Sequence, residues 1–378
     1  MTNSSKEAPR VAVLGAGYAG VTAAKLVAKR SGATVTLIND RDRFQERMRN
    51  HQVATGQRLR DVPLDDLLKR TGIRLVIDRV TRIDLEDRHV ELASETEPVG
   101  YDKLIYALGS QADLDAVPGA AEHATAVATV DHAQQLHDRV SSAATIAVVG
   151  GGLTGIETVT ELAETHPDRT VVLITRGTPG AMLNERARKH LHRTFDRLGI
   201  EVLRDAAVAK VARDGLLLEN GDHIDADAVV WTTGFAVPTL ARDAGLAIDD
   251  RDRMLVDTTL RSVSHPDVYG VGDAAAARTE DGELLRMGCG PGGIAGVFGA
   301  LALADHVADR TPRPLRYHDQ AWYVSLGRRD GIVQLGLDEG SRVVTGRMAA
   351  LMKERVALRG SVFGLRHPAL SVSSAKRF

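Results

Sequence analysis

The sequence predicts an α/β fold with two parallel-sheet units and a small C-terminal region, and two glycine-rich turns are the main reason. Residues 11–14 form an apolar run. Gly15-Ala16-Gly17-Tyr18-Ala19-Gly20 follows, then a helical pattern through Lys29 and a second apolar run at 35–38 that ends in Asn39-Asp40. The same succession returns at 146–174: an apolar run, Gly150-Gly151-Gly152-Leu153-Thr154-Gly155, a helical stretch over 156–164, and a strand over 170–174. Each succession reads strand, glycine turn, helix, strand, which is the order of a Rossmann-like dinucleotide-binding unit. A length of 378 residues is compatible with two or three domains.

The glycine spacing has a physical basis. Gly15 permits the tight turn, Gly17 lets the backbone approach a pyrophosphate, and Gly20 allows helix and strand to pack closely. The unpaired N–H groups of the helix N-terminus then meet the phosphates. Gly150, Gly152 and Gly155 keep the same spacing 135 residues later, so two nucleotide ligands are expected in one chain.

Between and after these units the pattern continues. Residues 74–101 alternate and suggest a small antiparallel meander, a theme repeated over 202–227. Apolar runs at 104–110 and 229–235 end in Gly109 and Gly234. The run at 268–274 delivers Asp273. Beyond residue 312 the composition changes: Tyr317, Trp322 and Tyr323 cluster, a strand is expected over 331–337, and a basic amphipathic helix over 346–359.

Composition excludes several function classes. With 43% hydrophobic and 26% charged residues the chain is that of an ordinary globular protein. A formal charge of −2 argues against nucleic acid as a partner. The single cysteine, Cys289, excludes an internal disulfide, a redox dithiol and a cysteine-built zinc site; no metal is expected. It is expected to act as a small buried hydrophobe. Apolar runs are broken before about 18 residues, so no transmembrane helix is expected. The opening residues 1–10 are polar and are expected to form a loose tail, in a cytoplasmic protein.

Gly15-x-Gly17-x-x-Gly20, Tyr106-Ala107-Leu108-Gly109-Ser110, Gly150-Gly151-Gly152-Leu153-Thr154-Gly155, Trp231-Thr232-Thr233-Gly234 and Tyr269-Gly270-Val271-Gly272-Asp273 occur in that order. Together they resemble the flavoproteins with two dinucleotide-binding domains. The type II NADH dehydrogenases and the soluble FAD-dependent NAD(P)H oxidoreductases of the apoptosis-inducing-factor type are the nearest in pattern. The resemblance covers nearly the whole chain. It implies an FAD-binding domain over 1–112 and 244–312, an NAD(P)H-binding domain inserted at 113–243, and a C-terminal region over 313–378. It also implies hydride transfer from NADPH or NADH to FAD, then electron transfer to a small-molecule acceptor, a quinone among the candidates. A flavin-based redox sensor, or a tailoring oxidoreductase or monooxygenase, would use the same nucleotide sites.

The resemblance assigns FAD contacts to Gly15, Gly17, Tyr18, Ala19, Gly20, Asn39, Asp40, Arg47, Val80, Ala107, Gly109, Gly272 and Asp273. Asn39 stands where the family carries an acidic ribose ligand. Arg47 is expected to reach the FAD phosphates or to face the acceptor side. The NAD(P)H contacts are Gly150, Gly152, Leu153, Thr154, Gly155, Thr175, Arg176 and Gly234. Thr175-Arg176 replaces the carboxylate that favours NADH, so NADPH is the expected donor. Glu157 matches a carboxylate near nicotinamide and flavin, with a positioning role. Gly293 and Val297 stand where type II dehydrogenases carry paired glutamines near the quinone. The helix over 346–359 resembles their C-terminal element and is expected either to cover the fold, as at a homodimer contact, or to touch a membrane peripherally.

Overall fold

The computed structural model describes residues 8–94 and 97–375. All but the last three residues of the expected N-terminal tail lie outside them. Strand β1 (Arg10–Leu14), helix α1 (Tyr18–Arg30) and strand β2 (Thr34–Asn39) form the first unit. Strands β1 and β2 run parallel, with Leu14 opposite Ile38. Two short helices follow, α2 (Asn50–Val53) and α3 (Leu64–Leu68), then β3 (Arg74–Ile77). A three-stranded antiparallel sheet of β4 (Val80–Asp84), β5 (His89–Leu92) and β6 (Val99–Gly100) leads into β7 (Lys103–Tyr106).

The meander is therefore shorter than its alternation suggests. Arg74–Ile77 pairs in parallel with β2, and antiparallel pairing starts only at Val80. A strand half-buried on a sheet edge alternates just as a meander strand does, so periodicity alone does not separate them. The second unit repeats this: β12 (Glu201–Leu203) joins the parallel sheet, and the antiparallel strands begin at Val208.

The chain leaves the first sheet after β7 through β8 (Gln111–Ala112) and a short helix, α4 (Ala120–His123), and builds the second. Its elements are β9 (Ala124–Ala126), α5 (Val130–Val140), β10 (Thr145–Val149), α6 (Leu153–Thr165), β11 (Thr170–Ile174), α7 (Glu185–Leu198) and β12. The meander β13 (Val208–Ala212), β14 (Gly215–Leu218) and β15 (His223–Asp225) precedes β16 (Ala228–Trp231). The sheet order is β12-β11-β10-β16-β9. Strand β17 (Phe235–Ala236) pairs with β8, so the outgoing and returning crossings touch. After α8 (Leu240–Asp243), β18 (Val268–Gly270) completes the first sheet in the order β18-β7-β1-β2-β3.

Helix α9 (Cys289–Val307) packs along α1, an approach that Gly296 permits, since a Cβ there would lie 2.4 Å from the Ala19 carbonyl oxygen. The C-terminal sheet of β19 (Ala321–Ser325), β20 (Gly331–Leu335) and β21 (Arg342–Thr345) buries Val324, Ile332 and Val343 in the core of the second unit. A helical run closes the chain: α10 (Gly346–Met352), a π-helical turn (Lys353–Leu358), α11 (Arg359–Arg366) and, after a break, α12 (Pro368–Ala375). Leu365 and Val372 return to the core of the first unit, so this region fastens onto both units. The run is longer than its sequence signal and includes an exposed Phe363 that the 346–359 stretch lacks. Tyr317 and Trp322 meet a charge pair: Trp322 lies 4.5 Å from the Arg286 guanidinium carbon, and Arg286 and Tyr317 both bond Asp319.

Candidate active site

The carboxyl ends of β1, β2, β7 and β18 converge on one cleft of about 440 Å³. At one end lie Asn39, Asp40, Arg79 and Val80; Gly15, Gly17, Tyr18 and Ala19 form its floor. Arg47, Ala107, Gly109, Ser110, Gly272, Asp273, Gly288 and Cys289 also line it. Gly20 sits behind the floor, where a Cβ would fall 1.8 Å from the Gly15 carbonyl oxygen. Gly15 has φ +95°, and a Cβ there would meet the Ala107 carbonyl oxygen at 2.5 Å. Gly17 is different: a Cβ there would meet nothing within 4 Å. Space is therefore kept in front of Gly17, on the side where the N-terminal amides of α1 receive no side-chain cap among the described residues.

The same division of roles recurs in the second unit. A Cβ on Gly155 would lie 1.8 Å from the Gly150 carbonyl oxygen, whereas one on Gly152 would meet nothing within 4 Å. Leu153 and Thr154 open α6. Thr175 is buried just past the end of β11, and Arg176 beside it is exposed, with no carboxylate in ion-pair range among the described residues. Gly234 takes φ +76° next to Asp113.

Polar partners hold the first cleft in shape. Asn39 accepts from the Ala16 N–H through Oδ1 at 2.8 Å and donates through Nδ2 to the Arg41 carbonyl at 2.9 Å. It thus braces the glycine turn, a task that the ribose assignment from sequence did not include. Asp273 accepts from Ser110 Oγ at 2.7 Å and from the Gly288 N–H at 2.8 Å, joining the end of β7 to the start of α9. Ser110 was visible in the Tyr106–Ser110 motif but carried no assigned contact. The Tyr18 hydroxyl is buried in the cleft wall with no hydrogen-bond partner among the described residues, and burial holds its pKa well above the ordinary value. Cys289 is half-buried on the cleft wall rather than fully buried as expected; desolvation pushes its thiol up to about 12, against the opposing pull of Arg47, so it is protonated at pH 7. An open second glycine and an orphaned hydroxyl fit a dinucleotide in this cleft.

Glu157 has a more specific setting than the first turn of a helix suggests. It is 9% exposed, pairs with Lys353 Nζ from the C-terminal helical run, and accepts from the Ser325 N–H at 3.1 Å. His51 Nδ1 lies 3.7 Å from its other oxygen. Burial lowers the pKa of His51 to about 4, with Glu157 opposing and Lys353 and Arg49 adding to the fall, so His51 is neutral at pH 7. Beside this group lies a second cavity of about 300 Å³ with Arg49, Gln52, Gln57, Arg328, Lys353 and Glu354 on its wall. None of the cavity or its charge pairs was legible in the sequence except Glu157.

His51 makes stability depend on pH. The unfolded side chain binds a proton below about 6.5, while the folded one waits until about 4. In that window the unfolded state carries more protons, so the stability present above pH 6.5 is lost as the pH falls, by about 3 kcal/mol at most. Thermal melts between pH 7 and 4 should show this slope, and His51→Gln should flatten it; an unchanged slope would remove His51 as its source.

Two Rossmann-like units, each with an open glycine turn at the start of its first helix, are the fold of an FAD-dependent pyridine nucleotide oxidoreductase. The chain belongs to the pyridine nucleotide-disulphide oxidoreductase family, whose model matches residues 9–288. It is 32% identical over 348 residues to an NADH dehydrogenase-like protein of Mycobacterium tuberculosis, covering 84% of each chain. It is 28% identical over 367 residues to a demethylphylloquinone reductase of Synechocystis, covering 87% of each. The solved NDH2 from Plasmodium falciparum in complex with NADH shares the fold, with a TM-score of 0.80 at 15% identity over 94% of this chain and 96% of that one. The protein is an FAD-dependent NAD(P)H oxidoreductase. The disulphide of the family name has no counterpart here, because only Cys289 exists.

Proposed function

We propose that the protein takes reducing equivalents from NADPH in preference to NADH and delivers them through FAD to a quinone headgroup or another small acceptor. The observation that carries this reading is the matched pair of turns, each with its second glycine facing open space. When bound, FAD supplies the two-electron chemistry, accepting from the nicotinamide and passing on to the acceptor. The chain supplies the rest. Gly17 and the amides of α1 take the pyrophosphate, Asp40 and Val80 line the adenosine end, and Asp273 faces the ribityl region. Gly152, Leu153, Thr154 and Gly155 do the same for the nicotinamide cofactor. Glu157, fixed by Lys353 and Ser325, positions the two rings rather than moving a proton. The unit boundaries we infer are 1–112 with 244–312, 113–243, and 313–378.

Support for the acceptor comes from a relative whose name is demethylphylloquinone reductase and from the polar second cavity, which suits a headgroup better than a long apolar tail. Gly293 leaves open space, and Val297 is buried at 1%, at the positions where the resemblance puts the glutamines that type II dehydrogenases carry near the quinone; a long-tailed quinone therefore lacks those contacts here. Anaerobic reduction of the flavin with NADPH, followed by reoxidation with quinones of graded tail length, tests this. Short- and long-tailed quinones should react within about tenfold of each other, a difference of about 1.4 kcal/mol. A strong preference for a long tail, or no reoxidation by any quinone, would overturn it.

The donor preference rests on Arg176. Without a carboxylate at Thr175, nothing repels a 2′-phosphate, and an exposed guanidinium can grip it through charge-assisted hydrogen bonds. Arg176→Ala should weaken NADPH by about 1–3 kcal/mol and leave NADH nearly unchanged. Equal loss for both cofactors, or a wild type that already prefers NADH, would defeat the assignment.

No described helix is long and apolar enough to cross a membrane. The outward face of the C-terminal run carries Met348, Leu351, Val356 and Phe363 beside Arg347, Arg355 and Arg359, while its inner face covers the fold. We infer a cytoplasmic protein with weak peripheral contact to an anionic bilayer, which co-sedimentation with acidic vesicles at low salt would reveal.

A further inference from the structure

Four arginines fall within residues 41–49, and three of them are committed to carboxylates. Arg41 holds Asp131 at 3.0 Å, Arg43 holds Asp61 at 2.9 Å, and Arg49 bridges Glu46 at 3.1 Å and Glu354 at 2.8 Å. Arg47 meets no carboxylate in ion-pair range among the described residues. It is half-buried, it lines the cofactor cleft, and its guanidinium makes one long hydrogen bond there, 3.4 Å from Nη1 to Ser110 Oγ. Asp273, the nearest acid through Ser110, already has both oxygens engaged, by the Ser110 hydroxyl and the Gly288 amide. A half-buried cation without a counter-ion carries a desolvation cost that a ligand anion would offset.

Arg47 stands at the end of the cleft where β7 and α9 meet. Its guanidinium stands beside Gly109 and Ser110 at the end of β7; its charge acts on Cys289 at the first turn of α9, where it is the leading electrostatic influence, and more weakly on Tyr18 at the start of α1. The 19-residue helix α9 brings its own partial positive charge to the same place. The pyrophosphate has a separate host in the open space before Gly17 and the amides of α1.

We propose that Arg47 is an electrostatic residue for the redox state of the flavin: it faces the negative charge that the ring system gains on reduction. The inference rests on the flavoprotein reading above. The charge balance is simple. Hydride transfer from the nicotinamide brings two electrons and one proton to a neutral oxidised ring, the nicotinamide leaves as its cation, and one negative charge stays on the reduced flavin. A fixed guanidinium beside that charge favours the reduced state over the oxidised one and leaves binding of the oxidised cofactor almost untouched.

The test compares wild type, Arg47→Gln and Arg47→Lys holoprotein by redox titration against a reference dye, alongside FAD affinity of the reconstituted apoprotein. Arg47→Gln should shift the reduction equilibrium at least about tenfold toward the oxidised form, about 30 mV for a two-electron couple. Arg47→Lys should recover most of that shift, and FAD affinity should change by less than about threefold in either variant. An unchanged potential with weakened FAD retention would place the guanidinium on the pyrophosphate and overturn the proposal. So would loss of the flavin from Arg47→Gln, or no change in either quantity. A wild type that holds no flavin, or whose flavin NAD(P)H does not reduce, would instead sink the flavoprotein reading before any variant is compared.

Discussion

Gly17→Val should yield a folded protein that carries no flavin. The prediction is sharp because the glycine has no structural duty that a side chain would break. Its backbone is extended, at φ −77° and ψ −169°, a conformation that valine adopts readily. A Cβ there touches no protein atom within 4 Å. The only thing it displaces is whatever occupies the space before the α1 amides, which the proposed function assigns to the FAD pyrophosphate. FAD affinity should fall at least about a thousandfold, about 4 kcal/mol, while far-UV circular dichroism and nucleotide binding by the second unit persist. Gly20→Val is the control with the opposite outcome, since its Cβ would lie 1.8 Å from the Gly15 carbonyl oxygen and the unit itself should fail to fold. A yellow Gly17→Val protein would show that the pyrophosphate does not pass over this turn.

These two glycines also show what kind of information the sequence carries. The turns were legible because their glycines answer local demands: a positive φ at Gly15 and Gly150, a carbonyl in contact at Gly20 and Gly155, an empty volume at Gly17 and Gly152. Local demands leave a fixed spacing along the chain. The edge strand Arg74–Ile77 was misassigned because its parallel partner is β2, and pairing direction leaves no mark in an alternating pattern. Asn39 was placed on the ribose by resemblance, yet its side chain also closes the turn by bonding Ala16 and Arg41. Contacts between distant segments were invisible altogether. Nothing near Glu157 announces that its counter-ion is Lys353, 196 residues away. Nor does the run of arginines over 41–49 reveal that Arg47 alone among them lacks a carboxylate among the described residues, because apart from Asp42 and Glu46 the acids that pair with the others come from α5, the loop before α3 and the C-terminal helical run.

The pair of Glu157 and Lys353 carries the second large effect, and it should appear as a failure of additivity. Lys353 is 4% exposed and Glu157 9%, so each charge depends on the other for the solvation it has lost. Lys353→Met removes the cation and leaves the carboxylate, among the described residues, with the Ser325 amide as its one hydrogen-bond donor at 3.1 Å; His51 beside it is neutral at pH 7. Stability should drop by about 3–5 kcal/mol at neutral pH, the cost of stranding a buried charge. Glu157→Gln keeps a side-chain oxygen for the Ser325 amide but strands Lys353 in turn. The double variant strands no charge: the glutamine oxygen still accepts from the Ser325 N–H, and methionine fills the lysine's volume without a charge. It should therefore recover most of the stability that either single change loses, a coupling of several kcal/mol in a double-mutant cycle. Flavin reduction by NAD(P)H supplies the readout that stability alone does not. If Glu157 positions the rings, the double variant should be stable yet slow to reduce its flavin. A double variant as unstable as the sum of the singles would show that the two residues act independently. One that is stable and fully active would confine the pair to fastening the C-terminal run onto α6.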